Sequence, residues 1–231
     1  MIQTSSNISW IRIPETTIEL GQSELSDDER EKFSKHHIVL SPPRRVHLDA
    51  FEMMEYPVAQ EVVAHVLGRA YKTRLSKCDL LRPGQLGTLV SQTEAAEVAR
   101  SLGGALPSED QWEAAATLGI AVQRLPISTR PARHRLKDSS DMARSLAGIT
   151  SASATGIKGL QDDHCEWTST VDPLSGWSIA KGACKCGVTH PYRRCELRAS
   201  ERWWNLGFRC VRVESGSPDK PRLSGAQDVN G

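Results

Sequence analysis

The sequence lacks the features that mark membrane-spanning and nucleic-acid-binding proteins. No stretch approaches the roughly 18 apolar residues of a transmembrane helix, and the opening MIQTSSNISWIRIP has neither the basic start nor the apolar run of a signal peptide. The formal net charge is only +1, which gives no field that would attract nucleic acid or an anionic membrane. No internal repeat is visible. We therefore expect a soluble cytoplasmic protein whose partners include neither nucleic acid nor membrane.

The composition is that of an ordinary globular protein. The 231 residues are 39% hydrophobic and 25% charged, which is enough for one sizeable core. We predict a single domain over residues 1–214 and a disordered tail over residues 215–231, where Gly, Ser, Pro and Asp are frequent. In a reducing cytoplasm the six cysteines are expected to be free, metal-binding or catalytic rather than joined in disulfides.

Local patterns predict short strands and a few helices. Apolar alternation predicts strands at residues 10–14, 17–21, 45–53 and 207–213. An apolar stripe predicts a helix over residues 59–67. Ser91 and Glu94 form a capping-box pattern that predicts a helix to Leu102, and Ser108 is expected to cap a third helix. The polar runs at residues 23–35 and 124–137 indicate solvated connectors.

The region between residues 177 and 213 concentrates reactive side chains. It holds four of the six cysteines and three of the six tryptophans. Cys184, Cys186 and His190 place two thiols and an imidazole in one short loop, and such donors suit a soft metal or thiol redox chemistry. Packed, unreactive cysteines are the alternative.

Five segments, in order along the chain, resemble motifs of the formylglycine-generating enzyme or sulfatase-modifying factor superfamily. The resemblance implies an α+β fold: the compact, irregular C-type lectin-like architecture of that superfamily, with short strands and two or three helices. Its members include copper-dependent cysteine oxidases, iron-dependent sulfoxide synthases, tailoring enzymes and plain binding modules, so the fold alone does not assign an activity. The segments are IRIPETTIELGQS at residues 11–23, residues 46–67, residues 90–115, residues 159–169, and the closing region that ends in NLGFRCVRV.

The resemblance implies a copper site in the cysteine loop. In the copper-using members a Gly-Gly-Ser turn precedes two cysteines, five positions apart, whose thiolates hold Cu(I). Here residues 181–183 occupy the turn, Cys186 falls near the first cysteine and His190 near the second. We therefore predict Cys184, Cys186 and His190 as a mixed sulfur and nitrogen copper site with a catalytic role.

The resemblance also implies a calcium site and several structural thiols. The family's Asn-x-x-Glu-Trp loop supplies oxygen ligands to a structural calcium, and Asp163 and Glu166 retain carboxylates at this loop. A softer metal or no metal is the alternative. Cys195 and Cys210 match cysteines that are disulfide-bonded in some members, but alanines stand at the expected partner positions. We expect both to be buried free thiols, with a direct contact between them as the alternative.

The remaining predicted site residues are arginines and tryptophans near the same loop. Arg193, Arg194 and Arg198, together with Arg209, either line a pocket for an anionic substrate group or bond to backbone carbonyls and carboxylates of the fold. Trp203 and Trp204 are expected to send one ring into the core and leave the other as a binding wall.

These expectations combine into one functional hypothesis. The chain is predicted to be a metal-dependent oxidoreductase, using copper and O₂, that acts on a small molecule or on an amino-acid, peptidyl or carrier-bound substrate. A non-catalytic C-type-lectin-like binding module or an enzyme-partner protein is the alternative. An iron enzyme is a third reading. The sequence leaves the substrate and the oligomeric state open.

Overall fold

The structure is a computed structural model. It describes residues 8–22, 31, 39–78, 80, 84–119, 128–129, 149, 152–160, 162, 164–183 and 188–213. The predicted tail at residues 215–231 lies outside these residues, as do most of the two predicted polar connectors.

The described residues form an α+β fold of short strands and three helices, which confirms the predicted fold class. The helices are α1 (Gln60–Lys77), α2 (Gln92–Ser101) and α3 (Glu109–Thr117). The strands are β1 (Trp10–Ile13), β2 (Thr16–Leu20), β3 (Val39–Leu40), β4 (Arg44–Leu48), β5 (Phe51–Met54), β6 (Ser128–Thr129), β7 (Cys165–Val171), β8 (Ser178–Gly182), β9 (Val188–Thr189), β10 (Arg193–Leu197), β11 (Leu206–Gly207) and β12 (Val211–Val213).

The largest sheet has five strands in the order β11, β7, β8, β10, β3. Strand β8 runs antiparallel to both of its neighbours, β7 and β10, and β11 joins β7 in parallel. A second sheet has the order β1, β5, β12, while β2 with β4 and β6 with β9 form two-stranded ribbons. The five-stranded sheet carries both ends of the cysteine loop, because β8 enters the loop and β10 begins just after His190.

Two helices begin where the sequence predicts. The Ser91 hydroxyl accepts a hydrogen bond from the Glu94 N–H at 3.2 Å, and the Glu94 carboxylate accepts one from the Ser91 N–H at 2.9 Å. Ser108 and Gln111 form the same reciprocal pair at the start of α3. Each pair satisfies two of the backbone donors that a helix start leaves without partners. Both predicted caps are confirmed.

The helix predicted over residues 59–67 is longer than its apolar stripe indicates. Helix α1 continues to Lys77 through an interruption at Gly68, whose φ of +65° is outside the helical range. The part of the helix after Gly68 also packs against the core, since Tyr71 and Leu75 are completely buried. The glycine breaks the periodicity that a sequence window would detect.

Two predicted strands are each divided in the structure. Residues 45–53 form β4 and β5, which belong to different sheets and are separated by a fully exposed Asp49. Residues 207–213 form the end of β11 and then β12, and the buried residues between them bond elsewhere: the Phe208 and Cys210 carbonyls accept from the Val58 and Met54 N–H groups. Both single-strand predictions were wrong at these breaks, because the partners that divide them lie far away in the sequence.

The main core lies between the helices and the five-stranded sheet. It joins Val63 and Leu75 of α1, Val98 of α2 and Trp167 of β7, all of them buried. A second cluster around Trp112 and Phe51 packs α3 against the three-stranded sheet. None of the described helices is long and apolar enough to span a membrane.

Candidate functional site

The cysteine loop begins from a tightly held strand end. Gly182, the last residue of β8, has a φ of +96°, and a Cβ atom there would lie 2.5 Å from the His164 carbonyl oxygen. The following N–H, that of Ala183, donates to the same carbonyl at 3.0 Å. The Ala183 carbonyl in turn accepts from the Cys165 thiol at 2.8 Å. Only glycine fits the first position, and the backbone that enters the loop is therefore fixed.

The loop ends at His190, which is 3% exposed. Its Nδ1 accepts a hydrogen bond from the Tyr192 N–H at 3.2 Å. Because Nδ1 accepts, the neutral imidazole carries its proton on Nε2. A metal bound at either nitrogen would require this hydrogen bond to break, so the geometry favours His190 as a donor through Nε2–H. Its predicted role as a copper ligand stays a prediction.

Cys184 and Cys186 lie outside the described residues, between Ala183 and Val188. Covalent geometry nevertheless limits their separation, because two residues of extended chain span at most about 7 Å between Cα atoms. Two thiolates bound to one metal through bonds of about 2.3 Å lie within that reach. Thiolate pairs also suit Cu(I) in their chemistry. The residue types of the loop are those that Cu(I) prefers, and the copper site itself stays a prediction.

A buried ion-pair cluster underlies the loop entrance. The Lys181 ammonium of β8 lies 2.5 Å from Glu113 Oε1, 3.3 Å from Glu109 Oε1 and 2.9 Å from the Ser41 hydroxyl oxygen. The Ser41 hydroxyl also bonds to both glutamates. Arg44 Nη2 completes the pairing of Glu113 at 3.0 Å. The cluster ties β8 to helix α3, one residue before the glycine turn.

The charges of the cluster are matched inside the fold. Burial alone would raise the pKa of the Glu109 carboxyl, but the positive charges of Lys181, Arg194 and Arg44, together with the Ser41 hydroxyl, lower it overall. Glu109 therefore stays ionised. Buried charges are tolerated only when they are paired and hydrogen-bonded in this way.

A second buried pair lies at the predicted calcium loop. Arg209 binds both oxygens of Glu166, with Nη2 to Oε1 at 2.6 Å and Nε to Oε2 at 2.7 Å. The Trp112 indole N–H donates to Oε2 at 2.8 Å, and His164 Nε2 lies 3.0 Å from Oε1. The guanidinium also donates to the Met54, Glu55 and Lys158 carbonyls.

These contacts account for the ionisation state of Glu166. Burial would raise its pKa, but the charge and hydrogen bonds of Arg209, aided by His164, hold it well below its usual range. The carboxylate thus already has a cationic partner within the fold. Asp163 lies outside the described residues, so the calcium site stays a prediction. Within the described ranges, no three His, Cys, Asp or Glu side chains are grouped to hold a metal ion.

The three predicted substrate arginines differ in their surroundings. Arg194 bonds to Glu109 at 3.0 Å and to Asp172 at 3.3 Å, so the structure favours its alternative role as a support of the fold. Arg193 is 3% exposed, whereas Arg198 is exposed to solvent. Arg198 is the member of the group most open to a substrate. The substrate role of all three stays a prediction.

The two adjacent tryptophans behave alike rather than oppositely. Trp203 and Trp204 are both partly buried and pack against the edge of the main core. The Trp203 indole N–H also donates to Glu201 at 3.1 Å. The expectation of one core ring and one exposed ring was wrong, because the irregular chain at residues 201–205 does not alternate its side chains as a strand would.

Cys195 and Cys210 are buried thiols outside any disulfide, as the sequence indicates. Burial strongly raises the pKa of the Cys210 thiol, which keeps it protonated and unreactive. Cys195 meets Cys165, with the two sulfurs 3.8 Å apart. The sequence predicts packed thiols, with a Cys195–Cys210 contact only as the alternative. The Cys165 neighbour was missed because β7 and β10 are brought together only by β8 between them.

The sequence did not pair the members of the two buried ion-pair clusters, although it did predict that Arg209 bonds to carbonyls and carboxylates. One local signal was available: Glu113 stands between Trp112 and a run of three alanines, which indicates a carboxylate on a buried helix face. Its partners lie far away in the sequence: Lys181 is 68 residues from it and Ser41 is 72 residues from it. No local pattern could pair them.

Solved structures of the same fold cover most of the chain. Treponema denticola variable protein 1 is 14% identical, with a TM-score of 0.59 over 88% of this chain and 94% of that one. PvdO from Pseudomonas aeruginosa is 17% identical, with a TM-score of 0.57 over 89% and 94%. CarF is 14% identical, with a TM-score of 0.59 over 90% and 98%. At such identities the likeness concerns the fold alone.

No curated protein matches the sequence. The sulfatase-modifying factor enzyme 1-like domain, in contrast, matches residues 3–214, which is nearly the whole chain. This match confirms the resemblance inferred from the sequence motifs. The chain belongs to the sulfatase-modifying factor enzyme 1-like family, as a divergent member.

Proposed function

We propose that this protein is a copper-dependent oxidoreductase that uses O₂ as electron acceptor. The observation that carries the proposal is the anchoring of the cysteine loop. Four residues containing two thiols connect a strand end fixed at Ala183 to the paired strand β9. On so short a segment the Cα atoms of the two cysteines are at most about 7 Å apart, so a curl of the loop would bring both sulfurs onto one metal.

Cys184 and Cys186 would hold the metal as thiolates, and bound copper supplies the activation of O₂. The net reaction removes two electrons and two protons from a substrate, which O₂ takes up as hydrogen peroxide. The substrate class is a small molecule or an amino-acid, peptidyl or carrier-bound group. Family membership supports an oxidase of this kind, and the thiolate donors support copper.

The residues around the loop have distinct parts in this proposal. Lys181 and Gly182 fix the direction in which the chain enters the loop. His190 holds its proton on Nε2 and is the group that would donate it to reduced oxygen. Arg198, exposed after β10, would attract an anionic substrate group. Trp203 and Trp204, both partly buried, would offer apolar surface to the substrate.

Copper binding is the first test. Protein purified without oxygen is analysed for metals and titrated with Cu(I) against a competing chelator, as wild type, Cys186→Ala and Cys184→Ala. Cys78→Ala is the matched control, since Cys78 is an exposed thiol remote in sequence from the loop. We expect one copper per chain in wild type and control, and loss of tight binding in both loop variants.

Oxygen consumption with amino-acid and peptide thiols then follows, and it should disappear in Cys186→Ala. Stoichiometric copper retained by Cys186→Ala would contradict the assignment of this site. A wild-type protein that binds no copper would favour the alternative, a non-catalytic binding module.

A further inference from the structure

An apolar tip projects from the hairpin that joins β7 and β8. Five large hydrophobic side chains are exposed in the described part of the chain, and three of them fall within seven residues: Val171 at 50%, Leu174 at 96% and Trp177 at 44%. We call these three residues the apolar tip. Single exposed hydrophobic residues are normal, but a concentration of this kind marks an interaction surface.

The apolar tip is built rigidly. The Asp172 N–H donates to the Trp177 carbonyl at 2.8 Å, and the Asp172 carbonyl accepts from the Gly176 N–H at 2.9 Å. Asp172 Oδ1 accepts from the Leu174 and Ser175 N–H groups at 3.0 and 2.8 Å. A surface whose shape is fixed in advance loses little conformational entropy on binding.

The tip has no free charge to offer. The other Asp172 oxygen lies 3.3 Å from Arg194, so the single ionic group of the turn is occupied within the fold. Residues 165–178 contain no lysine or arginine. Membrane-surface segments combine apolar and basic residues to hold anionic lipids. The tip therefore fits an uncharged, apolar recess in a protein.

A recess with a largely apolar surface lies beside the tip on the same molecule. It is a groove of about 450 Å³ between one face of α2 and the segment at residues 104–106, and Ala96, Ala105 and Leu106 provide its apolar surface. We call it the α2 groove. Its volume lies in the range of pockets that bind small molecules, and it therefore has room for one or two large side chains. Its lining residues are Gln92, Thr93, Ala96, Arg100, Gly104, Ala105, Leu106 and Ser169.

The tip and the α2 groove are neighbours. Ser169, in the groove lining, comes two residues before the first residue of the tip. Ser178, directly after Trp177, donates to the groove residue Gln92 at 2.7 Å. The single charged lining residue, Arg100, is eight residues from Gln92, or about 12 Å along the helix. The groove end nearest the tip is thus uncharged, like the tip.

We infer that the partner is a second copy of this chain, in a two-fold dimer that inserts the tip of each copy into the α2 groove of the other. A two-fold axis requires each copy to present both halves of a self-complementary surface, and adjacent tip and groove supply both. The contact is smaller than the 20 to 30 residues a side of a standard interface, so the dimer is weak, in the micromolar range.

Sedimentation equilibrium of the wild-type protein, up to a few hundred micromolar, tests the inference. We expect a reversible dimer, at least tenfold weakened by Leu174→Ser in the tip and by Ala96→Glu in the groove, because buried central contacts dominate such interfaces. Val213→Ser is the control: Val213 is 85% exposed but lies outside tip and groove, so the variant should dimerise like wild type. Circular dichroism and thermal unfolding check that each variant is folded.

A mixture of the two weakened variants distinguishes a dimer held by insertion of the tip into the partner's α2 groove from a dimer held by other surfaces. In a mixed dimer the intact tip of Ala96→Glu meets the intact groove of Leu174→Ser, so one of the two contacts is complete. Mixing should therefore restore part of the dimer that neither variant forms alone. Failure of mixing to restore it, a dimer indifferent to Leu174→Ser, or a wild-type monomer at all concentrations would each overturn the inference. So would a wild-type monomer that instead binds neutral or anionic phospholipid vesicles through Leu174.

Discussion

The ammonium group of Lys181 lies 2.5 Å from Oε1 of Glu113, and both side chains are completely buried. Removing one member of such a pair leaves an uncompensated charge in the interior, which typically costs about 3 to 5 kcal/mol. We therefore expect Lys181→Met to lower the free energy of unfolding by that amount, measured by urea denaturation. This loss should exceed any change in apolar packing that the replacement of the lysine side chain by methionine causes.

Two further variants check the cause. Lys181→Met combined with Glu113→Leu removes both charges, and we expect the double variant to be more stable than Lys181→Met alone. Arg45→Met breaks the exposed ion pair with Glu19, whose side chains are 74% and 67% exposed. That loss should stay below about 1 kcal/mol. Equal losses in Lys181→Met and Arg45→Met would contradict the role of burial.

Gly182 and Gly176 give a matched test of the backbone at the loop entrance. Both have a positive φ, +96° and +70°, but a Cβ atom at Gly182 would lie 2.5 Å from the His164 carbonyl oxygen, whereas one at Gly176 would meet nothing within 4 Å. We expect Gly176→Ala to cost about 1 kcal/mol from backbone strain alone. Gly182→Ala should cost roughly 3 kcal/mol, because strain and a backbone clash add.

Urea denaturation of the two alanine variants measures the difference. Similar losses of stability in the two variants would contradict the prediction, because the His164 backbone would then have moved away from the new Cβ atom at little cost.

The fold was largely predictable, because its signals are local or consist of motifs in order. The capping residues Ser91 and Ser108 bond to groups three positions away, and a sequence window contains both partners. The break between β4 and β5 could not be predicted, because it depends on which distant strands accept each segment. Secondary structure follows from nearby residues only until tertiary pairing overrides it.

For the candidate site, the sequence and the structure contribute different parts. The cysteine loop is visible in the sequence because its donors are neighbours in the chain. The ion pair of Lys181 and Glu113 joins residues 68 apart, and only folding brings them together. The tautomer of His190 likewise depends on a backbone geometry that the sequence does not state. The metal site follows from the residue pattern and stays a prediction, while the structure adds the buried groups that fix the loop entrance.

Glu94 links stability to pH. Although partial burial would raise its pKa, hydrogen bonds from Arg74, Arg202 and the Ser91 backbone lower it from 4.5 to about 2. A carboxyl with a lowered folded pKa contributes stability that is present above the unfolded value, near 4.5, and is lost as the pH falls towards 2. After allowance for solvent screening this contribution is about 1 kcal/mol.

The variant Glu94→Gln should therefore be less stable than wild type at pH 7, and its stability should fall less steeply between pH 4.5 and 2. Urea denaturation across this pH range measures both effects. Glu97→Gln is the control, because Glu97 is an exposed glutamate of the same helix. An unchanged acid slope in Glu94→Gln would contradict the prediction.

Thiol labelling distinguishes the cysteines that the fold protects from those that the loop presents. In native protein a short pulse of iodoacetamide should modify the exposed Cys78, while Cys165, Cys195 and Cys210 should react only after unfolding, because alkylation requires an accessible thiolate. Burial raises the pKa of Cys210 and removes its thiolate in addition. Peptide mapping by mass spectrometry reads each site separately.

The proposed copper site predicts a second labelling result. One equivalent of Cu(I) should slow labelling of Cys184 and Cys186 and leave the labelling of Cys78 unchanged. Equal protection of all three by Cu(I) would show binding at surface thiols in general, and rapid native labelling of Cys210 would contradict the packing around β12.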